Sequence, residues 1–292
     1  MRILLLGSSG RIGKELISAN SLFGFNLTHP SSRQLNITDP LLHDKLFDIN
    51  PDLIINAAAY TDVDNAETNT EQAYNINKLG PQLLAKTCEE LGIPLIHIST
   101  DYVFSGNKNA PYLEEDIADP ISVYGKSKLE GEEAVSKLCE EYIILRTSWI
   151  FGGEGSSFVK TVLKLAAEKS LVNVVENEIG CPTASSSTAY AILEIAKQIQ
   201  KGNKEWGLYH FCGSPSISRY AYALEIIEIA KQYASVRFGK IKAITSDEFQ
   251  TKASRPNYSA MNTDKIFDIF NISPNDWRSD LIKIVPLLLT QL

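Results

Sequence analysis

Met1-Arg2-Ile3-Leu4-Leu5-Leu6-Gly7-Ser8-Ser9-Gly10-Arg11-Ile12-Gly13 opens the chain, and its reading decides the fold. Ile3–Leu6 is an apolar run of the length of a buried strand, and Lys14–Asn20 reads as a helix. Between them stand glycines at 7, 10 and 13. The first lets the chain turn, the second lets backbone approach a pyrophosphate, and the third allows close helix–strand packing. Gly7, Gly10, Arg11, Ile12 and Gly13 are therefore candidate cofactor-binding residues.

Outward from this turn the pattern repeats. Phe25–Thr28, Leu53–Asn56, Pro94–Ile98 and Tyr142–Leu145 read as short strands, almost wholly apolar. Asp39–Ile49, Glu71–Leu91 and a stretch from Val123 to Glu140 read as the helices between them. Such alternation indicates an α/β fold, a Rossmann-type doubly wound parallel sheet covered on both faces. Beyond Arg146 the pattern changes. Phe158–Lys169, Ser185–Lys201 and Ser218–Ala234 are expected helices, Gly207–Phe211 a strand, and the tail from Ile241 turn-rich. The expectation is a dinucleotide-binding domain over residues 1–150, with contributions from about 170–212. A smaller, partly interleaved C-terminal substrate lobe over 151–292 would supply one wall of a cleft.

Composition excludes several classes. The 292 residues are 44% hydrophobic and carry a net charge of −7, with no basic tract, so nucleic acid is not an expected partner. Cys88, Cys139, Cys181 and Cys212 are widely spaced, and with four histidines they form no zinc pattern. They read as small buried hydrophobes in a reducing compartment. The apolar N-terminal run stops at Gly7, too short for a signal core or a membrane span. A soluble cytoplasmic protein is expected, with no membrane partner.

A fold of this kind that selects NAD places an acid at the end of the second strand. Here Thr28-His29-Pro30-Ser31-Ser32-Arg33 has none. Without that carboxylate a 2′-phosphate is not repelled, and Arg33 or the serines are candidates to bind it. NADPH is favoured, with NADH as the alternative. Asn36, after Leu35, is placed to meet the adenine edge, with Ile37 beside it. Asn56-Ala57-Ala58-Ala59-Tyr60-Thr61 follows the third apolar run. Ala57, Ala58 and Ala59 leave room there for a flat ligand, or for a helix packed above them.

The chemistry centres on Ser122-Val123-Tyr124-Gly125-Lys126-Ser127-Lys128. Tyr124 and Lys128 share one helix face. A phenol titrates near pH ~10, and a neighbouring ammonium is expected to bring it toward the working range. Such a tyrosine can deliver a proton to a carbonyl oxygen as hydride reaches its carbon. Two of the 12 tyrosines have lysine four residues on, the other pair being Tyr74/Lys78. His97-Ile98-Ser99-Thr100-Asp101-Tyr102-Val103-Phe104 separates them. Its hydroxyls end an apolar strand shortly before Tyr124, where one can hold a substrate carbonyl and orient the phenol. Tyr74/Lys78 has no such strand end before it and follows the acidic loop of Asp62, Asp64 and Glu67.

Gly-x-x-Gly-x-x-Gly, Asn-Ala-Ala-Ala-Tyr-Thr, Ser-Thr-Asp-Tyr-Val-Phe and Tyr-x-x-x-Lys together resemble the extended short-chain dehydrogenases/reductases. The resemblance is nearest to their dTDP-4-dehydrorhamnose reductase branch. It continues through Arg146-Thr147-Ser148-Trp149, Gly180-Cys181-Pro182-Thr183 and Arg255-Pro256-Asn257-Tyr258-Ser259. It implies NADPH-dependent reduction of a dTDP-linked 4-keto-6-deoxyhexose to dTDP-L-rhamnose. Tyr124 would be the general acid, Lys128 would bind the nicotinamide ribose, and Thr100 would complete the triad. Asp101 and Trp149 match positions beside the sugar nucleotide. Arg255 is a candidate diphosphate contact, or else part of a surface or inter-lobe salt bridge.

The chain departs from the branch at three places: Asn177-Glu178-Ile179-Gly180 for Asp-Gln before the Gly-x-Pro-Thr segment, Ser218-Arg219 for Ser-Trp, and Asn36 for Asp. Other readings are the same chemistry on another nucleotide-linked 6-deoxyhexose, or a non-catalytic NADP-binding regulatory subunit. Thr100-Asp101-Tyr102 lacks the Asp-Glu pair of the related dehydratases. Related reductases can dimerise with Mg2+ held by acidic residues. No metal ligand set is matched here, and a homodimer remains an expectation of the resemblance alone.

Overall fold

A computed structural model describes residues 1–234 and 237–291. The first half runs β1 (Arg2–Leu6), α1 (Arg11–Phe23), β2 (Asn26–Thr28), α2 (Leu42–Ile49), β3 (Leu53–Asn56), α3 (Val63–Ala66), α4 (Thr70–Tyr74), α5 (Gly80–Leu91), β4 (Leu95–Thr100), α6 (Val123–Leu138) and β5 (Tyr142–Thr147). A π-helical turn, Asn75–Leu79, joins α4 to α5, and a 3-10 turn, Asp101–Val103, follows β4. The second half runs β6 (Ile150–Phe151), α7 (Phe158–Glu168), β7 (Leu171–Val175), β8 (Ile179–Gly180), β9 (Thr183–Ala184), α8 (Ser185–Gln200), β10 (Gly207–His210), β11 (Ile217–Ser218), α9 (Arg219–Tyr233), β12 (Lys240–Ile244), α10 (Asp264–Phe270) and α11 (Trp277–Leu289).

The main sheet has the order β10-β5-β4-β3-β1-β2 with every pair parallel. Its strands are apolar on both sides because both faces are covered. Ile3, Leu5, Leu53, Ile55, Ile96, Ile98, Ile143 and Leu145 join one core, with residues of α1 and α8. Leu4, Leu6, Ile54, Leu95 and Ile144 join the other, beneath α2, α5 and α6. Each buried aliphatic side chain contributes about 1.5–3 kcal/mol by leaving water. The chain reverses direction in the sheet between β1 and β3, so their carboxyl ends open a crevice.

A separate core, away from the main sheet, gathers α7, α9 and α11 around Tyr222 and Trp277. The chain enters this lobe after β5, returns to the sheet as α8 and β10, and leaves again at β11. The tail is more ordered than its turn-rich sequence suggests. β12 pairs in parallel with β7, and α11 buries Trp277, whose Nε1 donates to Pro215 O at 2.7 Å. Pro286 lies inside α11 and conceals it from a pattern reading, because proline ordinarily marks a helix end. The expected helix Glu71–Leu91 is interrupted by the π turn. There Asn77 faces inward, its Oδ1 accepting from Tyr60 N at 2.8 Å and its Nδ2 donating to Tyr60 O and Ser127 Oγ, both at 3.0 Å. Among the described residues no helix is long and apolar enough to cross a membrane.

Candidate active site

The glycine turn after β1 is folded flat against the end of β3. Gly7 has φ +82°, and a Cβ on it would lie 2.4 Å from the Ala57 carbonyl carbon. A Cβ on Gly13 would lie 2.3 Å from Gly7 O. Gly10 caps α1 without a side chain, so the first-turn amides are left to an outside acceptor. Gly10, Arg11, Ile12, Ala57 and Ala59 line a cleft of about 350 Å3 above these strand ends.

Other expected cofactor residues sit differently. Ala58 packs on the far core, and Ile37 is buried there, its Cδ1 2.6 Å from where a Gly80 Cβ would be. Arg33 is exposed in the turn after β2. The Asn36 Oδ1 accepts from Thr38 N at 3.1 Å and Thr38 Oγ1 at 3.0 Å. Arg11 donates to three carbonyls of β6 and the loop that follows it: Ile150 at 2.8 Å, Glu154 at 3.2 Å, and Ser156.

β4 and β5 end side by side, with Thr100 opposite Thr147. α6 begins nearby at Ser122, whose hydroxyl accepts from Gly125 N at 3.1 Å. This places Tyr124 in the cleft with Thr100, Asp101 and Lys128. Thr100 Oγ1 donates to Asp101 Oδ1 at 3.1 Å, and Ser259 Oγ donates to Asp101 Oδ2 at 2.6 Å. Burial pushes the Asp101 carboxyl up to about 6, against the pull of those hydroxyls. Burial also drives the Tyr124 phenol well above its ordinary value, although its hydrogen bond with Thr100 lowers it. Tyr124 is thus a neutral acid at neutral pH.

Lys128 does not have the expected relation to that phenol. Its Nζ donates to Ile98 O at 2.7 Å and lies 3.4 Å from His97 Nε2. Burial brings Lys128 down to about 8, with Glu132 opposing the fall. Sequence reading passed over His97 and Asn56. The Ala58 N–H donates to Asn56 Oδ1 at 3.1 Å, which turns Asn56 Nδ2 toward His97 Nδ1 at 3.0 Å. His97 Nδ1 is therefore an acceptor and the ring proton sits on Nε2, facing Lys128.

A bound nicotinamide dinucleotide fits these residues. The first-turn amides of α1 are left without a side-chain cap at Gly10, and two hydroxyls in the cleft, Ser99 Oγ and Thr147 Oγ1, are buried without a hydrogen-bond partner. Such atoms suit a ligand carrying its own donors and acceptors. Neither was singled out from the sequence, though Ser99 lies in the strand-end hydroxyl motif. Among the described residues no group of three or more His, Cys, Asp or Glu is placed to hold a metal ion.

The sequence profile described as "RmlD substrate binding domain" matches residues 1–289. The chain belongs to this family. It is 39% identical to a dTDP-4-dehydrorhamnose reductase of Aggregatibacter actinomycetemcomitans, over 97% of this chain and 98% of that one. The structure of a dTDP-4-dehydrorhamnose reductase from Clostridium acetobutylicum superposes with a TM-score of 0.91 at 32% identity, covering all of both chains. That of the Bacillus anthracis enzyme in complex with NADP gives 0.87 at 30% identity, covering 97% of this chain and 98% of that one.

On the substrate side of this RmlD-family site, Trp149 holds φ +44°, an uncommon backbone state for a bulky residue. Its indole packs where a Cβ on Gly180 would lie 2.4 Å away, which explains the glycine of Gly180-Cys181-Pro182-Thr183. Arg255 bridges the lobes, donating from Nη2 to Asp64 Oδ2 at 2.7 Å and from Nη1 to Ala253 O at 3.2 Å. Arg219, from the Ser218-Arg219 departure, lines the catalytic cleft beside Trp149. Tyr74/Lys78 lies away from the cleft, where Lys78 Nζ pairs with Glu130 Oε2 at 2.6 Å.

Proposed function

We propose that this chain uses NADPH to reduce the 4-keto group of dTDP-4-dehydrorhamnose to dTDP-L-rhamnose, a sugar donor for cell-surface polysaccharide. The observation that carries the reading is the half-buried, protonated Tyr124 phenol beside Thr100 and Lys128 in the cleft at the glycine turn. The full-length likeness to reductases of that name supports the substrate class.

The chemistry that bound NADPH supplies is hydride at the carbonyl carbon. The glycine turn and the α1 amides hold its diphosphate, Ala57 and Ala59 leave space for its flat parts, and Arg33 answers its 2′-phosphate. Lys128 holds the nicotinamide ribose. Tyr124 keeps its proton until negative charge develops on the substrate oxygen, then donates it from the phenol oxygen. Thr100, its own proton donated to Asp101, accepts from that phenol and fixes its direction toward the substrate oxygen. Asp101, held by Ser259 and Thr100, and Trp149, braced on Gly180, shape the sugar subsite. Residues 1–150, with α8 and β10 from later in the chain, form the cofactor half in this reading, and the second lobe carries the nucleotide.

Adding the 4-keto sugar nucleotide to wild-type protein and NADPH is expected to remove the NADPH absorbance in proportion to product formed. Tight NADPH binding with no turnover would sink the enzyme reading in favour of a binding subunit. Turnover of a different nucleotide-linked 4-keto hexose in preference to this one would replace the substrate.

A further inference from the structure

Most arginines packed within this fold are already committed. Arg146 donates to both oxygens of Glu132, Arg255 to Asp64, and Arg11 to three backbone carbonyls. Arg219 is different. Its guanidinium lies 3.5 Å from the centroid of the Trp149 ring and 4.9 Å from that of Phe158. Only 16% of its side chain is exposed, and its side chain makes no hydrogen bond to any described residue. The neighbouring carboxylate, Glu178 Oε2, is 3.7 Å from its Nε, beyond hydrogen-bond reach. A guanidinium has five N–H donors, and covering it without acceptors is costly. Stacking on Trp149 fixes the plane of the fork while leaving those donors unused.

The position of this fork indicates what it binds. Arg219 lines the catalytic cleft and also a second cavity of about 360 Å3 walled by Phe158, Val162, Leu165, Val172, Val174 and Phe249. The first cavity is polar at its base and the second largely apolar. A molecule with a sugar at one end and a flat base at the other would place its diphosphate between them.

We propose that Arg219 binds the diphosphate of the sugar nucleotide across the junction of these two cavities. This rests on the reading of the substrate as a nucleotide-linked sugar. The planar fork matches paired phosphate oxygens. Glu178 is a counter-charge that balances the guanidinium between substrates and competes with the incoming phosphate. Arg255 also lines the second cavity, but its guanidinium is already paired with Asp64. The same chemistry could serve the diphosphate of NADPH, so the test separates the two sources.

Isothermal titration of the full chain would measure NADPH binding first. Thymidine diphosphate and thymidine would then each be titrated into NADPH-saturated protein. In Arg219→Leu and Arg219→Gln, thymidine diphosphate is expected to weaken by about 10- to 100-fold, the range of charge-assisted hydrogen bonds. Thymidine and NADPH should bind as in wild type, and retained NADPH binding shows that the variants are folded. Arg219→Lys should recover part of the loss, and Glu178→Gln should tighten thymidine diphosphate. Unchanged diphosphate affinity in both Arg219 variants would overturn the inference. So would an equal loss for thymidine, which would mean packing, or a selective loss of NADPH, which would assign the fork to the cofactor. Wild-type protein that binds NADPH but no nucleoside diphosphate overturns the substrate reading and this inference together. Wild-type protein that binds both without turnover overturns only the catalytic reading.

Discussion

His97 Nε2 lies 3.4 Å from Lys128 Nζ, and Asn56 holds the imidazole so that the proton is on that nitrogen. An N–H facing an ammonium is unfavourable, whereas the same N–H facing an amine is a hydrogen bond. Burial holds Lys128 down to about 8, and an imidazole N–H facing the ammonium favours the amine in the same direction. Glu132, on the same helix, opposes the shift but is itself neutralised by Arg146 at 2.6 Å. Asp101, Tyr102 and Tyr124 are the other titratable groups of the cleft, with the guanidiniums of Arg11 and Arg219 at its walls.

Activity that needs the ammonium should fall as pH rises through about 8. Asn56→Asp places a carboxylate where it can accept from both Ala58 N and His97 Nδ1. The imidazole proton then moves to Nδ1, and Nε2 becomes an acceptor for the ammonium. The basic limb of kcat/KM should move upward, and the imidazole nitrogen resonances should report the exchanged tautomer. A tautomer change with an unmoved limb would leave burial alone in control of Lys128.

Tyr124→Phe removes the donor while keeping the ring that packs edge-on against Tyr102. Reduction should drop by about 100- to 10,000-fold, the usual contribution of a positioned acid, with NADPH binding preserved. Tyr74→Phe should leave the rate near wild type, because the Lys78 partner of Tyr74 is committed to Glu130. Steady-state rates and NADPH titrations of the two variants check both halves.

The parts of this site legible in the sequence are those written in local pattern. Gly7, Gly10 and Gly13 are demanded by backbone approaching backbone, and Thr100 and Tyr124 follow from a strand end and a helix start. Residues whose meaning lies in distant contacts were not legible. The role of His97 depends on an amide 41 residues away, on Asn56, and on a lysine 31 residues away. Arg255 is claimed by Asp64, 191 residues earlier. Ile37 reads as a neighbour of the cofactor but is packed against the glycine that begins α5. β7 and β12 stabilise each other only once the second lobe has closed, and neither announces the pairing alone.

Arg33 is exposed in the turn after β2, with no acid in Thr28-His29-Pro30-Ser31-Ser32 to repel a phosphate. Arg33→Asp replaces attraction by repulsion at that turn. NADPH affinity should fall by about tenfold or more, the value of one charge-assisted phosphate contact, and NADH affinity should change far less. The gap between the coenzymes should narrow at high salt, since the site is open to screening. Equal losses for the two coenzymes, measured by fluorescence titration, would remove Arg33 from coenzyme selection.

Asp101 connects the end of β4 to Ser259, and its buried carboxyl is raised from an ordinary 3.8 to about 6. A group whose folded pKa lies above its unfolded value stabilises the protein when protonated. That stability is full below about pH 4 and is lost as pH rises through about 6. The shift corresponds to a cost on the order of 2–3 kcal/mol at neutral pH. Asp101→Asn carries no charge and can still accept from Ser259 while donating to Thr100. Its Tm should exceed that of wild type at pH 7, and the difference should shrink toward zero near pH 4. Reduction should nevertheless slow, because the amide donates to Thr100 where the carboxylate accepted from it, and so competes with Tyr124 for the Thr100 oxygen. A Tm advantage of the same size at both pH values would show that packing, rather than the buried charge, sets the stability at this position.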